Sequence, residues 1–104
     1  SSLVTINTRM IGGFTQHPAM ADDFINGLLQ NHVQDIADKL KRPIDSCTAI
    51  SYKTQMVTGM NYKIKALVDG QEYIHVIIYV YTQDDSHVSK VLTVVTNQTK
   101  DSDM

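Results

Sequence analysis

The sequence holds a single cysteine, Cys47, so an internal disulfide cannot form. Nothing in the chain therefore requires an oxidising compartment. No apolar run approaches the roughly 18 residues that span a membrane, and residues 1–9 lack the apolar segment of a secretory signal. We therefore expect a cytoplasmic protein with no membrane partner, and we leave open secretion without a recognisable signal.

Basic residues are not in excess. Nine Lys and Arg stand against eleven Asp and Glu, which gives a net charge of −2. Because nucleic-acid binding normally relies on a basic surface that contacts the phosphates, we expect no nucleic-acid partner. Apolar residues make up 42% and charged residues 19% of the 104 positions, which is typical of one small globular domain rather than of a disordered chain.

The sequence also lacks the spacing of a catalytic or metal site. Its four histidines and one cysteine form no CxxC or HExxH motif, and no glycine-rich phosphate loop follows a predicted strand. The segment Asp84–His87 contains the residue types of a catalytic triad, but a triad needs residues from separated elements, so a solvated turn is the simpler interpretation. We expect a binding protein that is not an enzyme and uses no cofactor or metal.

The hydrophobic period changes along the chain. From Asp22 to Lys41, apolar residues recur at three- and four-residue spacing, which predicts a single amphipathic helix that ends before Pro43. After Pro43 the period becomes two, which predicts antiparallel strands. Four strands are expected, at Ile50–Met56, Tyr62–Val68, Tyr73–Tyr81 and Val91–Thr96. Thr82–Ser89 is predicted to be a polar loop, and Asn97–Met104 a loosely held tail.

One short motif is more informative than these patterns. It fits Gln-x-Val-x-Gly and consists of Gln55, Met56, Val57, Thr58 and Gly59. With Tyr-Lys-Thr before it and Asn-Tyr-x-Ile-Lys after it, this part of the chain resembles the stefins, the single-domain intracellular branch of the cystatins. Weaker similarities to stefins lie in three further segments, Met10–Gly13, Tyr73–Val76 and Val91–Thr93. The resemblance therefore extends from Met10 to about Lys100.

The resemblance implies an α+β fold, in which an antiparallel sheet of four to five strands wraps around one long helix. It divides the chain into an N-terminal extension or expression-derived residues (1–9), a stefin-like domain (10–100) and a polar tail (101–104). It also implies a reversible, tight-binding inhibitor of papain-like cysteine proteases of the cathepsin L, B, H and S types. Such an inhibitor is a monomer whose hairpins can exchange between two copies to give a domain-swapped dimer.

The resemblance further implies that three parts of the chain form a wedge that blocks the protease cleft. They are an N-terminal trunk with Gly12 and Gly13, the hairpin Gln55–Gly59, and a second hairpin with Thr82 and Gln83. In stefins the second hairpin usually carries Leu-Pro, and Thr82 and Gln83 stand at the matching positions here. We therefore expect the second hairpin to be the weak part of the wedge.

Two alternatives stay open at the level of sequence. The missing Leu-Pro pair and the polar end Asp101–Met104 would suit a cystatin-fold interaction module without inhibitory activity. The tyrosines of the predicted strand Tyr73–Tyr81 would suit base stacking or a small ligand, although the charge argues against a nucleic acid. Titration of papain with the protein distinguishes an inhibitor from both.

Overall fold

The computed structural model describes residues 13–104, and Gly12 lies outside them. The strands are β1 (Ala19–Met20), β2 (Cys47–Val57), β3 (Gly59–Val68), β4 (Glu72–Gln83) and β5 (Ser86–Gln98), and the helices are α1 (Asp23–Gln30) and α2 (Val33–Leu40). The strands form one antiparallel sheet in the order β1-β2-β3-β4-β5. The predicted α+β class, with an antiparallel sheet of four to five strands, is therefore confirmed.

The core lies between the helices and one face of the sheet, which we call the inner face. Ile74, Val76 and Ile78 alternate along β4 and are fully buried, as the period of two predicts for a central strand. The other largest fully buried side chains are Ile25, Leu29, Ile36, Ile64 and Val68. Each contributes about 1.5–3 kcal/mol relative to an exposed position, so this cluster holds the helices on the sheet.

The predicted single helix is instead two consecutive segments. Its start agrees with the prediction, because Asp22 accepts a hydrogen bond of 2.9 Å from the Ile25 N–H as an N-cap. At His32 the backbone leaves the helical conformation, and its N–H donates to the Leu29 carbonyl, three residues back. The prediction of one uninterrupted helix from Asp22 to Lys41 is therefore wrong.

The side chain of His32 gives the physical reason for the interruption. The ring is buried, with Nδ1 2.8 Å from Asp35 Oδ2 and Nε2 2.7 Å from Ser89 Oγ. These contacts tie the junction between α1 and α2 to β5, on the inner face of the sheet. Since the apolar residues of α2 still face the core after the junction, the hydrophobic spacing continues across it and does not reveal it.

The prediction of a polar loop at Thr82–Ser89 is also wrong, because almost all of this segment is strand. Thr82 pairs with His87 and Gln83 with Ser86, which leaves only Asp84 and Asp85 as the turn. These two have φ angles of 51° and 65°. A two-residue hairpin turn of this twist needs positive φ at both central positions, and Asp tolerates it better than most residues.

The C-terminal tail is held rather than loose. Lys65 lies on the outer face of the sheet and is 5% exposed. Its Nζ donates hydrogen bonds to three carbonyl oxygens of the tail, those of Thr99 at 3.1 Å, Lys100 at 2.6 Å and Ser102 at 2.7 Å. A buried ammonium is costly unless its donors are satisfied, so these contacts fix the segment that the sequence predicted to be mobile.

Neither helix in residues 13–104 has the length and apolar character needed to cross a membrane.

Candidate functional site

The hairpin between β2 and β3 turns through Thr58 alone. Val57 at the end of β2 lies opposite Gly59 at the start of β3. Gly59 has a φ of 111°, a conformation that side chains with a Cβ rarely adopt. A Cβ at this position would lie 2.4 Å from the carbonyl oxygen of Val80 on β4. The turn therefore requires glycine for both its conformation and its space.

The tip of this hairpin is held by its neighbours in the sheet. The Tyr79 hydroxyl on β4 donates a hydrogen bond to the Thr58 carbonyl oxygen, and the Tyr79 ring stacks on Tyr81 with centroids 5.1 Å apart. Across the hairpin, Asn61 Nδ2 donates to Gln55 Oε1 at 3.0 Å. The tip is therefore ordered before it meets a partner, which lowers the entropy lost on binding.

Two side chains at the tip face solvent. Met56 is 68% exposed although it is apolar, and Thr58 is exposed as well. Val57 is half-buried, and its cross-strand neighbour Gly59 has no side chain to cover it. Apolar surface at the end of a rigid hairpin favours contact with another protein.

The hairpin between β4 and β5 reaches the same end of the sheet. Because Met60 pairs with Val80, the β4 residue Thr82 lies level with the Thr58 turn. Thr82 and Gln83 are exposed, but they occupy the last two positions of β4 and not the loop in which the sequence placed them. The turn Asp84–Asp85 extends about 7 Å further, at the rise of a β-strand, and forms the actual tip.

The segment before β1 runs along β2 toward the same end. Met20 lies opposite Ser51, whereas Thr15 bonds to Thr54, which is closer to the hairpin turn. The Thr15 N–H donates to the Thr54 carbonyl at 2.8 Å, and the Thr54 N–H donates to Thr15 Oγ1 at 3.2 Å. The described residues that precede Thr15, Gly13 and Phe14, are thus directed toward the two hairpins.

Phe14 and Gly13 continue this segment. Lys63 Nζ lies 5.4 Å from the centroid of the Phe14 ring, within the range of a cation–π contact. Gly13 is exposed, and nothing lies within 4 Å of the place of a Cβ there. Of the predicted trunk glycines, the structure therefore brings Gly13 toward the hairpins, and Gly12 lies outside the described residues.

An open cavity of about 870 Å³ separates α1 from the two hairpins on the inner face. Phe24 is 57% exposed at its rim and meets Tyr62 edge to face, with ring centroids 5.6 Å apart.

Tyr79 supports the first hairpin without belonging to its motif. The alternation of tyrosines in the predicted central strand was the signal for it, but which tyrosine meets the hairpin depends on the register between strands.

The groups that could carry chemistry are not arranged for it. Cys47 is buried, and burial together with the nearby Asp69 carboxylate raises the pKa of its thiol to about 11, so the reactive thiolate does not form at neutral pH. Within residues 13–104 no group of three or more His, Cys, Asp or Glu could hold a metal ion. The arrangement at the hairpin end supports binding.

No family model matches the chain, but individual relatives do. It is 36% identical over 70 residues to Cystatin-B of Oplegnathus fasciatus, a match that covers 67% of this chain and 69% of that protein. It is 30% identical over 80 residues to Leukocyte cysteine proteinase inhibitor 1 of Sus scrofa, which covers 69% of this chain and 78% of that protein. The chain belongs to the stefin/cystatin family. Cystatin-A8 of Sus scrofa is 28% identical over 95 residues, which covers 91% of each chain.

The stefin/cystatin family is a family of cysteine protease inhibitors, and its members are not enzymes. Two predictions from the sequence, the family and the absence of enzymatic activity, are thereby confirmed. The roles of the individual residues in the trunk and the two hairpins stay predictions.

Proposed function

We propose that this stefin/cystatin chain is a reversible, tight-binding inhibitor of papain-like cysteine proteases, of the cathepsin L, B, H and S types, and that it acts in the cytoplasm as a monomer. The observation that carries the proposal is the convergence of three segments at one end of the sheet. They are the Gln55–Gly59 hairpin, the end of β4 with its turn, and the chain that leads to Gly13.

The first hairpin is the central contact in this proposal. Met56 and Val57 supply apolar surface next to the catalytic thiol of the protease, and Thr58 contacts the wetter rim. Because Tyr79 already holds the turn, little freedom is lost when the hairpin enters the cleft. The turn presents no scissile bond to the thiol, so the protein blocks the protease without becoming a substrate.

The trunk and the second hairpin complete the wedge. Gly12 and Gly13 let the trunk pass close to the wall of the cleft, since glycine has no Cβ to clash. Thr82 and Gln83 contribute less than an apolar pair would, because their polar groups must find partners or keep their water. The first hairpin therefore carries most of the affinity.

Titration of papain, and of a cathepsin L-type protease, with the purified protein tests the proposal. Residual activity should fall linearly to zero at one inhibitor per active site, and activity should return on dilution with excess competing substrate. A folded protein that leaves both proteases fully active would contradict inhibition and favour an interaction module, for which the polar pair Thr82 and Gln83 is the motivating observation.

A further inference from the structure

Met56 combines an exposed thioether with a place at the centre of the first hairpin. Its side chain is 68% exposed, and it lies between Gln55 and Val57, two residues before the Thr58 turn. Met60 lies directly opposite on β3, and its side chain is half-buried, so it is less exposed than that of Met56. A thioether in this place is reached freely by small oxidants in solution.

We propose that Met56 is a modification site, at which a hydroperoxide oxidises the thioether to the sulfoxide and thereby weakens protease binding. This inference rests on the proposed function, because it assumes that the hairpin is the surface that enters the cleft. It adds a redox control that acts on the binding surface itself.

The chemistry balances with hydrogen peroxide as the oxidant. A lone pair of the Met56 sulfur attacks one peroxide oxygen, and the S–O bond forms as the O–O bond breaks. The departing hydroxide then takes the proton from the sulfur-bound oxygen and leaves as water. The sulfur is oxidised by two electrons and the peroxide is reduced by two. Methionine sulfoxide reductases reverse the step with thiol reducing equivalents.

The sulfoxide changes what the hairpin offers to a partner. Methionine is a flexible apolar side chain that adapts to irregular contacts, and the sulfoxide is polar and chiral. Its oxygen keeps its water in the free inhibitor and loses that water in an apolar contact, which costs binding free energy unless a donor replaces it. Because the side chain is exposed in the free protein, oxidation leaves the fold intact.

Met20 and Cys47 carry sulfur atoms that lie outside the hairpin. Met20 is 86% exposed, but it lies opposite Ser51, roughly 16 Å along β2 from Met56 at the rise of a β-strand. Cys47 is buried at the opposite end of β2. Met20 is therefore a matched control with equal access to oxidant and no place in the hairpin.

The experiment treats the full-length parent, Met56→Leu and Met20→Leu with hydrogen peroxide and removes the peroxide before papain is added. Peptide mass spectrometry follows the 16 Da gain at each methionine, as expected for one added oxygen, and the inhibition constant is measured at each extent of oxidation. The Leu variants conserve apolar volume, and circular dichroism checks that each sample stays folded.

Full oxidation of Met56 should raise the inhibition constant of the parent and of Met20→Leu by about tenfold or more, and reductase treatment should restore it. The inhibition constant of Met56→Leu should change by less than about twofold on peroxide treatment, although the other methionines of this variant are oxidised. Equal losses in Met56→Leu and the parent, or a loss that accompanies unfolding, would overturn the inference. A parent that inhibits equally before and after oxidation overturns this inference alone, whereas a parent that never inhibits papain overturns the proposed function and this inference with it.

Discussion

Val57 is the residue on which the proposed contact depends most. It follows Met56 in a strand, so the two side chains point to opposite faces of the hairpin, and Gly59 leaves Val57 uncovered by a cross-strand neighbour. A partner that encloses the tip therefore removes both faces from water. Burial of this kind is favourable for an aliphatic side chain and strongly unfavourable for a charged one.

Replacement of Val57 by Asp should raise the inhibition constant for papain by roughly a hundredfold or more, because a carboxylate would be desolvated in the contact. Val95→Asp is the matched control, since Val95 is also a strand valine, is 43% exposed and lies on β5 away from both hairpins. Steady-state inhibition assays on both variants measure the effect. Unchanged inhibition by Val57→Asp would mean that the hairpin is not the binding element.

His75 is a second residue whose surroundings have a measurable consequence. It is 3% exposed on the outer face, where it pairs with Lys65 of β3 and Val95 of β5. Its Nε2 has no hydrogen-bond partner among the described residues. Burial, together with the positive charges of Lys65 and Lys63, lowers the pKa of His75 from 6.5 to about 4.

The low pKa of His75 predicts that the protein loses stability as the pH falls from about 6.5 to 4. In this range the unfolded state binds a proton that the folded state does not, so the free energy of unfolding decreases with falling pH, by up to about 3 kcal/mol from this group. Urea unfolding at several pH values measures how the free energy of unfolding depends on pH. His75→Gln should flatten the profile and the same change at the exposed His87 should not; parallel profiles for all three would contradict the assignment.

At the scale of elements, the second hairpin differs from the expectation in a way that matters for binding. Thr82 and Gln83 are strand residues, and the carboxylates of Asp84 and Asp85 stand at the tip. Polar side chains at a strand end gain little from burial, while exposed charges act on a protease over a distance that salt shortens to about 10 Å at 0.1 M. We therefore expect the second hairpin to adjust the affinity for a protease rather than to supply most of it.

The double variant Thr82→Ala, Gln83→Ala should weaken papain inhibition by less than about tenfold, which corresponds to 1.4 kcal/mol. The hydroxyl and amide that it removes must give up water to make any contact, so their net contribution is small. The measurement is made beside Val57→Asp with the same protease. A loss as large as that of Val57→Asp would show that polar contacts at this hairpin are as important as the apolar ones at the first.

The sequence predicts features that depend on residues close together in the chain, and it does not predict features that depend on residues far apart. The Gln55–Gly59 hairpin depends on local turn chemistry, and the alternation along β4 depends on burial of each second residue, so both were predictable. The break at His32 depends on Ser89, and the fixed tail depends on Lys65; each joins residues far apart in the chain. Such contacts leave no local pattern in the sequence. The prediction of a loop at Thr82–Ser89 is wrong because exposed strand ends have the same polar composition as loops.

At the scale of the whole molecule, both faces of the sheet carry packed segments, and the outer face is covered only in part. The helices pack on the inner face, and on the outer face the tail at Ser102 lies beside the segment Gln16–Pro18, over Ser51 and Lys65. The tail and the segment Gln16–Pro18 thus meet over the middle of the sheet. The tail lies away from the hairpins, so it leaves their exposed tips accessible.

We infer that the β2–β3 turn is the place at which the molecule opens. Thr58 is the only residue between the paired strands, Gly59 is held in a positive-φ conformation, and straightening the turn would join β2 and β3 into one extended strand. Val57 favours that extended conformation, since β-branched residues prefer strands. Two opened copies would then exchange the segment before the turn, and the exchange would restore every contact except those of the hairpin itself.

We therefore predict that mild heating, followed by cooling at high protein concentration, yields a domain-swapped dimer that does not inhibit papain. The dimer keeps the native core but lacks the tip formed by Val57, Thr58 and Gly59, so the proposed contact no longer exists. Size-exclusion chromatography separates the species, and papain titration is applied to each peak. Val57→Gly should form less dimer, because glycine weakens the extended strand that the swap requires. A fully active dimer, or only active monomer after partial unfolding, would contradict this opening of the turn.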